Sequence, residues 1–192
     1  MESEVVSAQS GKAELRRYYR EARRDYANPA ATELLNQHLT RWLRDYSPKH
    51  QVCFYCPMPE EAPIIVDQPS RYFFPRVEGQ DIEFFQPNET EGFEVGTYGL
   101  QEPKLKGSQP LDSQKPMIVF CPAVAVDRNG TRLGMGEGYY DRFFSNHPQA
   151  LRVAVVYQIQ ISERPLPADS WDQPLDWIVT DKMILRTSKR SF

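Results

Sequence analysis

Met117-Ile118-Val119-Phe120-Cys121, bracketed by Pro116 and Pro122, is apolar at every position. A strand with one wet face alternates apolar and polar residues; an unbroken apolar run marks a strand covered on both faces. Leu151-Arg-Val-Ala-Val-Val-Tyr157 and Trp177-Ile-Val-Thr180 are apolar but for Arg152 and Thr180, and Val52-Cys-Phe-Tyr-Cys56 ahead of Pro57 has the same character. Helical periods lie between and before these runs. Leu15, Tyr18, Tyr19, Ala22 and Tyr26 recur at spacings of three and four and predict a helix over 11–27. Leu34, Leu35, Leu39, Trp42 and Leu43 predict a second over 30–45, separated from the first by Asn28-Pro29. A third helix is predicted from Tyr139 to His147. Strands alternating with helices give the fold class: α/β, one layered domain over 1–192, its sheet largely parallel with helices on both faces, Rossmann-like. Residues 1–10 are read as a flexible N-terminus.

Two further strands are predicted at Arg71–Pro75 and Ile82–Gln86, joined through a turn at Glu78-Gly79-Gln80. Residues 87–116 carry no period. With four Pro and four Gly, they read as a long loop of the kind that is usually functional or disordered.

Composition excludes several classes. The 192 residues are 40% hydrophobic and 26% charged, as in ordinary globular chains. A net charge of −3 gives no basic field for nucleic acid or anionic membranes, so an anionic ligand needs a locally basic pocket. No apolar stretch approaches the ~20 residues that span a bilayer, and the first residues lack a secretory pattern. The expectation is a cytoplasmic protein without nucleic-acid or membrane partners. Cys53 and Cys56 form C-x-x-C, but residues three apart in a strand face opposite ways, which favours plain buried thiols over a redox pair or zinc site.

The chemistry concentrates in Asp127-Arg-Asn-Gly-Thr-Arg-Leu-Gly-Met-Gly-Glu-Gly-Tyr-Tyr-Asp-Arg142. Gly134, Gly136 and Gly138 alternate immediately before a helix. Glycine permits close approach of backbone to a ligand, and free N–H groups at a helix start attract phosphate. Arg132 and Arg142 add positive charge. Asp141, one turn into the helix, is placed to meet a cation that travels with phosphates. Taken alone, G-x-G-x-G is equally compatible with a plain strand-to-helix turn, and it matches neither Walker A nor G-x-G-x-x-G.

The whole run resembles the signature of the 5-formyltetrahydrofolate cyclo-ligase family. Weaker pieces follow in the family's order: Lys12-Ala-Glu-Leu-Arg16, Cys56-Pro-Met-Pro-Glu-Glu61, Tyr98-Gly-Leu-Gln-Glu-Pro103, and Leu166-Pro167 ahead of Asp172 and Leu175–Thr180. The resemblance implies an ATP- and Mg2+-dependent ligase of one-carbon metabolism. It would close 5-formyltetrahydrofolate to 5,10-methenyltetrahydrofolate and release ADP and phosphate, acting as a monomer or weak homo-oligomer. By that resemblance ATP meets Lys12, Ala13, Glu14, Leu15 and Arg16, and also Arg132, Leu133, Gly134, Met135, Gly136, Glu137, Gly138, Tyr139 and Tyr140. Folate meets Arg16, Cys56, Glu61, Tyr98, Met135, Gly136, Glu137, Gly138 and Tyr139. Arg132 and Tyr140 are implied as catalytic, and Asp141 and Asp172 as Mg2+ ligands.

On the residues alone, Lys12 and Arg16 belong to a solvated helix face. The chain departs from the family pattern at Glu137, where relatives usually carry Gly or Lys, and at Trp171, where many carry a polar residue. The second reading is therefore a nucleotide-binding regulatory or altered-activity relative that keeps the fold without the reaction.

Overall fold

The computed structural model describes residues 11–90 and 92–188; the expected flexible N-terminus lies outside them. In chain order the elements are α1 (Lys12–Tyr26), α2 (Pro29–Tyr46), β1 (Gln51–Cys53), β2 (Phe74–Glu78), β3 (Asp81–Gln86), β4 (Phe93–Val95), β5 (Gln101–Pro103) and β6 (Gln109–Pro110). They continue with β7 (Met117–Cys121), β8 (Ala125–Asp127), β9 (Arg132–Leu133), α3 (Tyr139–Asn146), β10 (Leu151–Val155), β11 (Ile161–Ser162), β12 (Trp177–Val179) and β13 (Ile184–Arg186).

The main sheet has the order β1-β7-β10-β12-β13. Its first four strands are parallel, and β13 runs antiparallel at the edge. Successive side chains of β7 face opposite ways. Met117, Val119 and Cys121 join Phe143 and Phe144 of α3 and Ile82 and Phe84 of β3 in one core. Ile118 and Phe120 join Leu35, Leu39 and Trp42 of α2 in the other. Both faces are covered, which is why the strand reads as continuous hydrophobic sequence. Register pairs Val52 with Ile118, Ile118 with Leu151, and Ala154 with Ile178.

The N-terminus of α2 is fixed by sequence. The Asn28 side chain accepts a hydrogen bond from Ala31 N at 3.0 Å, and Pro29 opens the first turn. That arrangement satisfies one orphan donor and presets φ. α1 serves a different surface. Its Leu15 and Tyr19 pack with Val124, Ala125, Leu133 and Leu166, placing the helix over a small sheet of order β11-β8-β9.

Three expectations shift. The strand predicted over Val52–Cys56 ends at Cys53. Phe54 N still reaches Phe73 O at 2.8 Å, but the chain then turns away toward the carboxyl end of the sheet. The strand expected at Arg71–Pro75 begins at Phe74, because Pro69–Arg71 closes a 3-10 turn. The two-residue turn at Gly79-Gln80 then sets the β2–β3 register, with Glu78 opposite Asp81. Within 87–116, β4 and β5 pair as an antiparallel hairpin and β6 adds to β3; that segment is not a featureless loop. Among the described residues no helix is long and apolar enough to cross a membrane.

Candidate active site

A cleft of about 970 Å3 opens where β1 and β7 end, the edge at which parallel α/β sheets hold ligands. Its lining comes from seven separate parts of the chain: α1, the segment after β1, the β2–β3 strands, the β4–β5 hairpin, the segment after β7, the glycine segment with α3, and the turn at 169–173.

Two helices start at this cleft without side-chain caps. α1 follows Gly11 and α3 follows Gly138, and at neither N-terminus does a capping side chain accept a hydrogen bond from the first N–H groups. Their first N–H groups remain open donors with a positive dipole end behind them. Gly136 and Gly138 have φ of +119° and +71°, a region that side-chain-bearing residues rarely enter. The backbone can therefore curl before α3 only because these positions are glycine.

Cations surround those helix starts. Arg16 Nε donates to Gly134 O at 2.8 Å, tying α1 to the glycine segment. Lys12 Nζ lies 2.7 Å from Asp169 Oδ2 and 2.8 Å from Asp172 Oδ2. A cation in the first turn opposes the helix dipole, and this carboxylate pair holds it there. Burial pulls the Lys12 pKa down, but the hydrogen bonds to Asp169 and Asp172 outweigh it and the net shift is upward.

Arg132 is the buried cation of the site. Its side chain is 4% exposed and its Nη2 is 2.9 Å from Asp141 Oδ2. The guanidinium lies 5.3 Å from the Tyr140 ring centroid and 5.9 Å from that of Phe144, so its plane is held from several sides. Its Nε is buried and finds no acceptor. Asp141 Oδ1 accepts from Gln173 N at 3.0 Å, which places Asp141 beside the turn carrying Asp172. Burial pushes the Tyr140 hydroxyl well above its usual pKa, so it stays protonated.

The opposite wall is less charged. Burial pushes the Cys56 thiol up to about 12, with Glu102 adding to the shift; Cys56 is thus an inert neutral wall. The Cys53 thiol, fully buried, shifts the same way. Tyr98, at the hairpin tip, adopts φ +59°, a conformation costing about 1–3 kcal/mol for a residue with a side chain. Its hydroxyl lies 3.2 Å from that of Tyr139. Buried Glu102 anchors the hairpin by accepting from Thr97 N at 3.1 Å.

Glu61 is buried and accepts from Met58 N at 2.9 Å. Burial raises its pKa, while the Met58 N–H and the Arg23 charge oppose the rise. A carboxyl raised in the folded state contributes stability that is present below the unfolded pKa and lost as pH rises through the folded pKa. Glu61→Gln removes that loss. We expect its Tm to exceed the parent's at pH 7–8, with the gap closing below about pH 4, as thermal melts across pH would measure. A wild-type advantage at pH 8 would contradict this.

The cleft brings together most of the residues singled out in the sequence: Lys12, Arg16, Cys56, Glu61, Tyr98, Arg132–Arg142 and Asp172. Ala13 and Glu14 are exposed outside its lining, and Leu15 is buried in the α1 core with its N–H bonded to Gly11 O at 3.1 Å. Arg142 does not extend the cationic wall. It turns back to Asp81 Oδ1 (3.2 Å), to Glu137 O (2.9 Å) and to Gln80 O. Asp141 and Asp172 are each matched to a basic side chain. Among the described residues no group of three or more His, Cys, Asp or Glu could hold a metal by itself. The sequence reading missed Asp169 and Gln173; the spacing of Asp169 and Asp172 around Ser170-Trp171, a turn with an acid at each end, was the available signal.

Residues 8–181 match the model of the 5-formyltetrahydrofolate cyclo-ligase family. Similar curated proteins include the 5-formyltetrahydrofolate cyclo-ligase of Haemophilus influenzae, 42% identical over 80 residues, which are 41% of this chain and 42% of that protein. The enzyme of the same name from Escherichia coli K12 is 37% identical over 87 residues, 44% and 47% of the two chains. The matched stretch thus spans less than half the length of these two relatives. The solved 5,10-methenyltetrahydrofolate synthetase of Aquifex aeolicus superposes with a TM-score of 0.73 at 30% identity, covering 94% of this chain and 95% of that one.

Proposed function

The chain belongs to the 5-formyltetrahydrofolate cyclo-ligase family, and on that premise we propose that it closes 5-formyltetrahydrofolate to 5,10-methenyltetrahydrofolate while converting ATP to ADP and phosphate. The observation that carries this reading is the convergence of two uncapped helix N-termini, with Lys12, Arg16 and Arg132, on one cleft whose other wall is Cys56, Glu61 and Tyr98. One half suits a polyphosphate. The other suits a flat ring with N–H donors at its edge and aromatic contacts on its faces.

The formyl oxygen on N5 attacks the γ-phosphorus, the bond to the bridging oxygen breaks, and ADP departs. The formyl carbon now bears phosphate as a leaving group. N10 donates its electron pair to that carbon, the C–O bond breaks, phosphate leaves, and the N10 proton is released. The chain's task is positioning and charge neutralisation, as in phosphoryl transfer generally. Lys12 and the α1 and α3 N-termini orient the phosphates. Arg132, held flat by Asp141 and Tyr140, offsets charge on the transferring group. Glu61 accepts from the pterin edge. No side chain need act as a nucleophile.

Asp141 and Asp172 are hard oxygen donors joined through the Gln173 backbone. That suits Mg2+ arriving with the phosphates better than a preformed cage; when bound, the ion neutralises phosphate charge. The Tyr98 hydroxyl is pushed up in pKa first by its hydrogen bond to Tyr139, with the Glu137 charge adding least, and Glu137 lines the same cleft. Three free cysteines fit a reducing cytoplasm.

The test is absorbance in the methenyl-folate band after mixing protein, 5-formyltetrahydrofolate, ATP and Mg2+. A rise that requires every component supports the ligase. ATP binding without any rise would overturn it and favour a relative that keeps the fold without the reaction.

A further inference from the structure

Trp171 is 67% exposed, and among the described residues its indole stacks on no other ring and no cation. One exposed aromatic is ordinary; its location is not. Trp171 sits inside a turn that is unusually well fixed. Asp172 N donates to Asp169 O at 3.1 Å, Asp169 N donates to Asp172 Oδ2 at 2.9 Å, and Gln173 Nε2 donates to Trp171 O at 3.2 Å. The same Asp172 oxygen holds Lys12 Nζ at 2.8 Å. The indole is thus mounted on a rigid turn at the cleft rim, one residue from the ion pair that anchors the start of α1.

We propose that Trp171 is the stacking platform for the purine base of the nucleotide, and so a determinant of nucleotide affinity in this chain. The inference rests on the ligase reading for the identity of the nucleotide. A nucleotide whose phosphates meet Lys12 and the glycine segment must send its base past one end of that cationic row. The inner end is closed by the buried Arg132 side chain and half-buried Tyr140; the outer end passes Lys12 and reaches Trp171. A purine face on an indole gains base–aromatic stacking without any hydrogen-bond readout. The Asp169, Asp172 and Gln173 side chains are engaged with the turn's backbone, Lys12 and Arg152, which leaves the indole, beside the small Ser170 hydroxyl, as its main recognition surface. Cys56, Glu61 and Tyr98 belong to other elements, so the folate is given a separate wall.

Two measurements test the assignment. In steady-state turnover, Trp171→Ala is expected to raise KM for ATP about tenfold, consistent with the loss of one base stack, leaving kcat at saturating ATP and KM for 5-formyltetrahydrofolate unchanged. Trp171→Phe recovers part of the loss. An unchanged KM for ATP, or a KM for folate that rises in its place, overturns the proposal. The second measurement needs no turnover. ADP, titrated without folate, should quench and blue-shift the exposed-indole emission of the parent protein, and inorganic tripolyphosphate should not. Equal responses to both, or none to ADP, overturn the platform. A clear ADP response in a protein that forms no methenyl product would leave Trp171 as the base platform and refute the ligase reading alone.

Discussion

Arg132→Ala is expected to lose both stability and turnover, the stability by about 3 kcal/mol. The guanidinium is buried, and removing one member of a buried pair strands the other. Here the stranded group is Asp141, whose side chain keeps some solvent contact at 21% exposure, so the low end of the usual range applies. For a chain of this size that corresponds to a Tm lower by roughly 6–12 °C. Contacts with the Tyr140 and Phe144 rings are lost as well. Turnover should fall by about 10^2–10^3, the usual scale for removing one preorganised group that meets developing charge.

The two losses separate in Arg132→Lys. It restores a charge near Asp141 and should recover much of the Tm, but it lacks the planar fork and should recover little kcat. The double variant Arg132→Ala/Asp141→Ala should be less destabilised than the sum of the single variants. Thermal melts and initial rates on these proteins decide the matter. A Tm within a degree of the parent for Arg132→Ala would mean that the buried pair is not holding the glycine segment to α3.

How far the sequence anticipates the molecule depends on where each signal comes from. Met117–Cys121 and Leu151–Val155 were legible because double-sided burial leaves only apolar residues, a pattern local to the strand. The α2 boundary was legible because Asn28-Pro29 carries its own chemistry. The β4–β5 hairpin was not. Phe93–Val95 and Gln101–Pro103 are three residues each, partly exposed, and their register depends on Glu102 folding back to the Thr97 backbone. β13 was missed for a similar reason: a three-residue edge strand is defined by its pairing with β12, and its own letters carry no period.

The site divides along the same line. The glycine segment and its flanking Arg132 and Asp141 lie within ten residues and read as one motif. Glu61 and Tyr98 entered only by family resemblance, since nothing local distinguishes them from surface residues. Asp169 was invisible as a site residue because its partner, Lys12, stands 157 positions away. Charge pairing across such a separation exists only once α1 is laid over β8 and β9.

That long-range pairing gives the second large effect. Lys12→Ala is expected to weaken ATP binding about 100-fold while moving Tm by no more than about a degree. The stability term is small because the Lys12 pairs are partly exposed, and such pairs contribute about 0–1 kcal/mol. The binding term is large for two reasons. A charge-assisted contact to phosphate is lost, a matter of about 1.5–3 kcal/mol. In addition Asp169 and Asp172, now uncovered, face the incoming phosphates with their cation removed, so attraction becomes repulsion. This second contribution makes the test specific. Asp169→Asn placed on the Lys12→Ala background should regain several-fold in affinity, although it removes another charged side chain from the site. Lys12→Arg should keep most of the affinity, since the position remains cationic. Raising salt should narrow the gap between Lys12→Ala and the parent, because it screens the exposed carboxylates. Calorimetric titration with ADP at two ionic strengths would measure each of these quantities. Unchanged affinity in Lys12→Ala would leave Lys12 as a structural clasp between α1 and the 169–172 turn, and would move the phosphate site onto Arg16 and the glycine segment alone.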